Sequence, residues 1–280
     1  MNSDSPSHRG AGRAPHPFAG PRPTTGGPVR RTLLRTALTG AAALGAGLGT
    51  ARPATAAPHT PGTAAPRPGT PGEALAELAA GNRRWRAYRE RHPHETPETR
   101  RALTTAQHPF AVVLGCIDSR VPPELVFDQG LGDLMTVRTA GEVLDEAVLG
   151  SVAYGVLELG IPLVVVLGHQ SCGAVRAAVE AEESGGRLSA HIQYLADQIS
   201  PAIDHGKEGD ARIDATVDAN VRLVRSRLAA EPDLAAKVDA GRLAIVGARY
   251  ELTSQAVHRV ASEAARSAAH HGGPGRPVTP

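Results

Sequence analysis

Two apolar runs constrain this chain more than any other feature. "PFAVVLGC" (109–116) and "PLVVVLG" (162–168) are short, rich in β-branched residues and interrupted by a glycine near the end. Their apolar residues are consecutive rather than alternate, the pattern of strands buried on both faces of a parallel sheet. Each run leads straight into polar, chemistry-bearing residues: "GCIDSRV" (115–121) and "GHQSCGA" (168–174). The chain's only two cysteines, Cys116 and Cys172, lie in those stretches.

The surrounding pattern extends the argument. "DLMTVRTA" (133–140) and "RLAIVGARY" (242–250) read as two further strands. Helical spacing is expected over 71–92, where Leu75, Leu78, Ala79 and Trp85 share a face, and over 146–160, 173–184, 188–204, 212–230 and 254–268. Strands alternating with helices predict an α/β fold with a mostly parallel central sheet flanked by helices. Ligands in such folds sit at the carboxyl ends of the strands, where both cysteines fall.

The first 56 residues differ from the rest. They hold seven arginines and a single acid, Asp4, which leaves 23 basic against 27 acidic residues in the remainder. The chain's basic balance therefore belongs to its N-terminal segment. Aromatic residues make up 3% of the chain and no basic stripe follows residue 56, which argues against nucleic-acid binding.

In "VRRTLLRTALTGAAALGAGLGTARPATAAP", a paired Arg30-Arg31 precedes a weakly apolar Ala/Leu/Gly stretch. The segment ends in the small-x-small pattern Ala54-Thr55-Ala56. This predicts a twin-arginine-type export signal over 1–56, cleaved near Ala56, and a secreted or cell-envelope protein. The apolar stretch is too short and too glycine-rich to serve as a stable membrane anchor. Residues 57–71 read as a disordered Pro/Thr/Ala/Gly linker, 72–268 as the folded domain, and 269–280, with paired His270 and His271, as a tail.

Three readings suit Cys116 and Cys172: buried small hydrophobes, a disulfide, or two ligands of one metal. An exported protein with two cysteines permits the disulfide. The metal reading adds His169, three residues before Cys172 across a strand-to-helix turn. A Cys₂His set suits zinc, with a fourth position open. Asp118 and Arg120 alternate with Cys116 and could form a structural ion pair or act on that fourth position.

The paired stretches "CIDSRVPPELVFDQGLGDL" and "GHQSCGAV", with "ELAAGNRRW", "VRTAG" and "VGARYELTSQAV", resemble the β-class carbonic anhydrases over about two thirds of the chain. The resemblance implies one zinc per subunit, held by Cys116, His169 and Cys172. It also implies reversible hydration of CO₂ to bicarbonate and a proton by a zinc-bound hydroxide. Asp118 and Arg120 match the family's dyad, in which the aspartate either takes the fourth zinc position in a closed state or turns to the arginine and frees it. Activity is then expected to rise with pH.

Gly173 is placed to offer its N–H to bicarbonate, while Gln129 and Tyr154 match residues that contact substrate or line the cleft. A homodimer or homotetramer is implied, with the N-terminal helix packing on a neighbouring subunit. Relatives on this scaffold hydrolyse carbonyl sulfide or carbon disulfide, an alternative activity. A non-catalytic secreted module stapled by Cys116–Cys172 is the reading from a different class. Departures from the family pattern are Met135 and Thr136, where Phe and Val are frequent, and Gln255, where glycine is common.

Overall fold

A computed structural model of the chain describes residues 67–261. The expected export signal, all but the end of the linker, residues 262–268 of the expected last helix, and the C-terminal tail lie outside the described residues.

Helix α1 (Pro71–Arg86) starts where the sequence supplies a full cap. The Thr70 hydroxyl accepts from the Glu73 N–H at 3.3 Å, and the Glu73 carboxylate accepts from the Thr70 N–H at 3.1 Å. The helix is shorter than the 71–92 expectation. It ends at Arg86, and Tyr88 turns left-handed with φ 53°. Within this chain α1 lays Ala74 and Leu78 onto the central sheet.

That sheet has the order β2-β1-β3-β4-β5. Its strands are β1 (Ala111–Cys116), β2 (Leu134–Thr139), β3 (Leu163–His169), β4 (Ala244–Tyr250) and β5 (Val257–Val260). The first four run parallel, in agreement with the sequence reading. Every residue of β1 and β3 is buried, as the two apolar runs require.

Successive side chains divide between two layers. Ala111, Val113, Val165 and Leu167 face α1 and the short α3 (Pro123–Val126). Val112, Leu114, Val164 and Val166 face α4 (Glu146–Leu157), α7 (Gly209–Ala230) and α8 (Pro232–Asp239). A third apolar cluster lies at the carboxyl end of the sheet. There α5 (Gly173–Ser184) and α6 (Ala190–Ile199) pack around Cys116 and Cys172. The short α2 (Pro97–Ala102) completes the described helices. None of these helices is long and apolar enough to cross a membrane.

One expectation is overturned. In place of a helix from 254, β5 pairs antiparallel with β4, Tyr250 opposite Val257 and Gly247 opposite Val260. Valines three residues apart fit both a helix face and a short strand, so the local pattern was ambiguous. The chain reversal decides between them. The Gln255 N–H donates to the Glu251 carbonyl at 2.7 Å and Gln255 adopts φ 58°, which returns the chain along the β4 edge.

Candidate metal centre

Parallel pairing of β1 with β3 sets Gly115 opposite Leu167, so the two strands end side by side. Cys116 is the last residue of β1 and His169 the last of β3, while Cys172 caps α5 after a left-handed Ser171. All three side chains are buried, and their ligand atoms lie within 4.8 Å of one another.

The two sulfurs are 3.9 Å apart and both cysteines are free, whereas a disulfide needs about 2.05 Å. The disulfide reading, and the stapled module built on it, therefore fails. His169 Nδ1 lies 2.9 Å from the Gln170 carbonyl, an arrangement that puts the ring proton on Nδ1 and leaves Nε2 as an acceptor. Nε2 is buried without a hydrogen-bond partner and faces the sulfurs. A buried, unpaired imidazole nitrogen beside two thiols costs stability unless a cation takes its lone pair.

The titration of the sulfurs points the same way. Cys116 is pushed down, chiefly by the hydrogen bond from Cys172, with the Gly141 N–H also helping against burial. Cys172 is pushed upward, because its proton serves Cys116 and a second buried thiolate would stand beside the first. A divalent cation removes that conflict by compensating both thiolates. Cys116, His169 and Cys172 therefore fit zinc by donor type, number and burial.

Asp118 and Arg120 lie at the rim. Asp118 Oδ1 accepts from Arg120 Nε at 2.9 Å and from the Arg120 backbone N–H at 2.9 Å, while Oδ2 accepts from Nη2 at 2.7 Å. Asp118 Oδ2 is 3.9 Å from His169 Nε2. The Arg120 hydrogen bond, opposed by partial burial, holds Asp118 down at about 2.

An apolar cleft of about 380 Å³ opens here, lined by Cys116, Asp118, Gly173, Leu188, Ile192 and Leu195 among others. Gly173 begins α5, so its N–H belongs to the first turn, which a helix leaves without internal partners. Gln129 and Tyr154 do not line this cleft within the protomer. Gln129 is buried on the α1 flank, where its amide donates to the Phe127 carbonyl at 2.9 Å and to Glu77 at 3.3 Å. Tyr154, on α4, is half exposed.

Sequence reasoning missed several supporting residues. Arg138 on β2 donates from Nε to the Cys116 carbonyl and from Nη2 to the Asp118 carbonyl, both at 2.7 Å, and so fixes the backbone of the loop. The Gly141 N–H donates to Cys116 Sγ at 3.4 Å. Glu142 is fully buried. Burial first, and then the Cys116 charge, push its pKa well above the ordinary carboxylate value, so it holds its proton more tightly. The signal for Arg138 and Gly141 was the "VRTAG" stretch, whose arginine within an expected strand had no assigned partner. Thr136, one of the family departures, donates to Glu124 at 3.0 Å.

The comparisons agree with this geometry. Residues 111–257 match the family model described as carbonic anhydrase. Carbonic anhydrase 2 of Mycobacterium tuberculosis is 42% identical over 177 residues, covering 62% of this chain and 86% of its own. The carbonic anhydrase of Mycolicibacterium smegmatis is 45% identical over the same shares. Among solved structures, a tetrameric β-carbonic anhydrase of Sordaria macrospora superimposes with TM-score 0.55 at 19% identity, covering 66% of this chain and 96% of that one. A Coccomyxa β-carbonic anhydrase bound to acetazolamide does so with TM-score 0.54 at 24% identity, covering 66% and 86%. The family match spans both ligand-bearing strand ends and the sheet that aligns them, and the chain belongs to the β-class carbonic anhydrases.

Proposed function

We propose that this enzyme hydrates CO₂ reversibly to bicarbonate and a proton, using one zinc ion held by Cys116, His169 and Cys172. The observation that carries the reading is the unpartnered, buried His169 Nε2 facing two free thiols at the carboxyl ends of β1 and β3. A Cys₂His zinc with an open fourth position supplies the Lewis acidity that makes water nucleophilic near neutral pH.

The chain's own residues do the rest. Arg120 grips Asp118 through a two-point fork, which keeps the carboxylate from taking the open ligand position. So held, Asp118 accepts a hydrogen bond from the attacking water and aims its lone pair at the carbon. Release of Asp118 from Arg120 would close the position, so the dyad acts as a gate. The apolar lining admits CO₂ and gives bicarbonate little to hold. The Gly173 N–H, at a helix start, steadies a bicarbonate oxygen before it leaves. The net reaction consumes CO₂ and water, and the proton passes to buffer.

A homodimer or homotetramer is part of the proposal. It is supported by the tetrameric Sordaria relative and by Gln129 and Tyr154, which could reach substrate from a second copy. Export through the twin-arginine route is supported by Arg30-Arg31 and by Ala54-Thr55-Ala56. A thiolate site benefits from folding and loading before it leaves a reducing compartment.

Stopped-flow CO₂ hydration on purified protein, with zinc analysis, tests the reaction. One zinc per chain and turnover that Cys172→Ser abolishes are expected. Zinc-free protein, or carbonyl sulfide turnover without CO₂ hydration, would overturn the reading. Replacing Arg30 and Arg31 by lysine should retain the protein inside the cell, and undiminished secretion would refute that route.

A further inference from the structure

We propose that Asn220, on α7, positions Cys116 for metal binding by holding the Gly141 peptide in place. The inference rests on the zinc reading above and extends it to a residue distant from every ligand in the sequence.

Between β2 and α4 the chain makes a tight turn over Ala140–Glu142. Gly141 and Glu142 are successive left-handed residues, at φ 69° and φ 53°. Glycine adopts this conformation freely, but glutamate does so against the clash of its Cβ with the backbone. Such a pair relaxes by flipping the peptide between its members, which returns Glu142 to negative φ. The hydrogen bond from Asn220 Nδ2 to the Gly141 carbonyl, 2.8 Å and fully buried, opposes that flip. The Gly141 N–H, on the other side of the same Cα, donates to Cys116 Sγ at 3.4 Å. Asn220 thus anchors the residue whose other peptide plane carries an N–H aimed at a metal-binding sulfur, and restrains the turn that presents it. A Cβ on Gly141 would meet Ile199 Cδ1 at 2.7 Å, so the α6 side leaves the turn little room to move.

Asn220 is 1% exposed on a helix that otherwise buries Val217, Val221 and Val224 nearby. An amide there must be compensated, and the Gly141 carbonyl compensates it. A hydrogen bond to a ligand atom, here from the Gly141 N–H to Cys116 Sγ, fixes the ligand's orientation and tunes its donation. Loss of such a bond typically weakens metal binding by about 10–100-fold, and Asn220 acts one step further out, through that N–H.

The experiment measures zinc affinity by competition with a chromophoric chelator and records the visible spectrum of the cobalt(II)-substituted protein. Asn220→Ala should weaken zinc by up to about 10-fold, the lower end of the range for losing a direct partner of a ligand, and shift the thiolate-to-cobalt charge-transfer band. Asn220→Leu, which fills the same space without a donor, should do the same and carries the test if the alanine variant does not fold. Thr216→Val is the control. It lies one turn earlier on the same helix, fully buried, and its hydroxyl accepts from the Asp204 N–H at 3.1 Å. This variant should lower thermal stability while leaving affinity and spectrum at wild-type values.

Asn220 variants that bind zinc like wild type with an unchanged cobalt spectrum would overturn the proposal. So would a Thr216→Val variant weakened as much as they are. A wild-type protein that binds no zinc refutes the metal centre itself, a result that the variants cannot imitate.

Discussion

Asp118 and Arg120 lie two residues apart in one loop, whereas Asp128 and Arg84 are separated by 44 residues and join α1 to the turn after α3. The first pair is half open to water, with the Arg120 side chain 54% exposed and Asp118 17%. The second is closed, at 14% for Arg84 and 1% for Asp128. Asp128 also accepts from the backbone N–H groups of Arg91 and His92, so it is tied from two directions.

Residues beside Arg84 extend the same attachment. A Cβ on Gly81 would stand 1.6 Å from the Phe127 carbonyl oxygen, which only glycine allows. Asn82 donates to the carbonyls of Val126 and Gln255 and accepts from the Val257 N–H. The same chemical pair thus serves two ends. Buried and distant in sequence, it fastens elements together; exposed and local, it can change partners at small cost to the fold.

The contrast sharpens most at Arg84. Arg84→Ala should cost about 3–5 kcal/mol in a urea titration, because it leaves the Asp128 carboxylate buried without its cation. Zinc content per folded molecule should be unaffected. A loss below about 1 kcal/mol would show that the backbone donors alone hold Asp128, and the comparison would collapse.

Arg120→Ala should do the reverse. Its effect on stability should stay under about 1 kcal/mol at neutral pH, as for exposed pairs. CO₂ hydration should nonetheless fall severalfold or more, since Asp118 is then free to occupy the ligand position. Both aspartates have depressed folded values. Burial alone would raise Asp128, but the Arg84 hydrogen bond and the Arg91 and His92 N–H groups carry it down. Asp118 is lowered first by the Arg120 hydrogen bond, to about 2.

Depressed carboxylates contribute stability that is fully present above their unfolded value, about 3.9, and lost as pH falls through the folded one. Wild type should therefore lose more stability than Arg120→Ala between about pH 4 and pH 2. Urea midpoints across that window read the difference, and parallel curves would count against the Asp118–Arg120 bond.

The smallest effect concerns Gln255, whose carbonyl Asn82 holds. With φ 58° it occupies a position that favours glycine, so Gln255→Gly should stabilise by about 0.5–1 kcal/mol in thermal melts.

These regions were unequally legible. β1 and β3 declare themselves through unbroken apolar runs, and the ligands stand in the next few residues, so the metal cluster was readable from local pattern. The Asp118–Arg120 ion pair was readable for the same reason. Asn220 was not, because it reaches the site across 79 residues and resembles any polar residue on a helix. Arg138 was visible as an arginine on a half-buried strand, but its acceptors are backbone carbonyls that no motif marks. β5 was misread because its pattern fits two periods, and only the turn at Gln255 and the free edge of β4 decide between them. Gln255 itself was noticed as a departure from glycine. Its consequence became clear only when the backbone showed a left-handed residue.

The parallel register of β1 and β3 also orders events in time. Cys116 and Cys172 are 56 residues apart, so an unfolded chain offers at most the nearby His169 and Cys172 to a metal. Bringing in the third ligand means closing a long loop, whose length-dependent entropy alone is roughly 3–4 kcal/mol. Strand pairing makes that closure, so the complete ligand set exists only once the centre of the sheet has assembled. Zinc bound as proposed would then favour the finished topology over every earlier state, and its capture would record that the chain has threaded correctly.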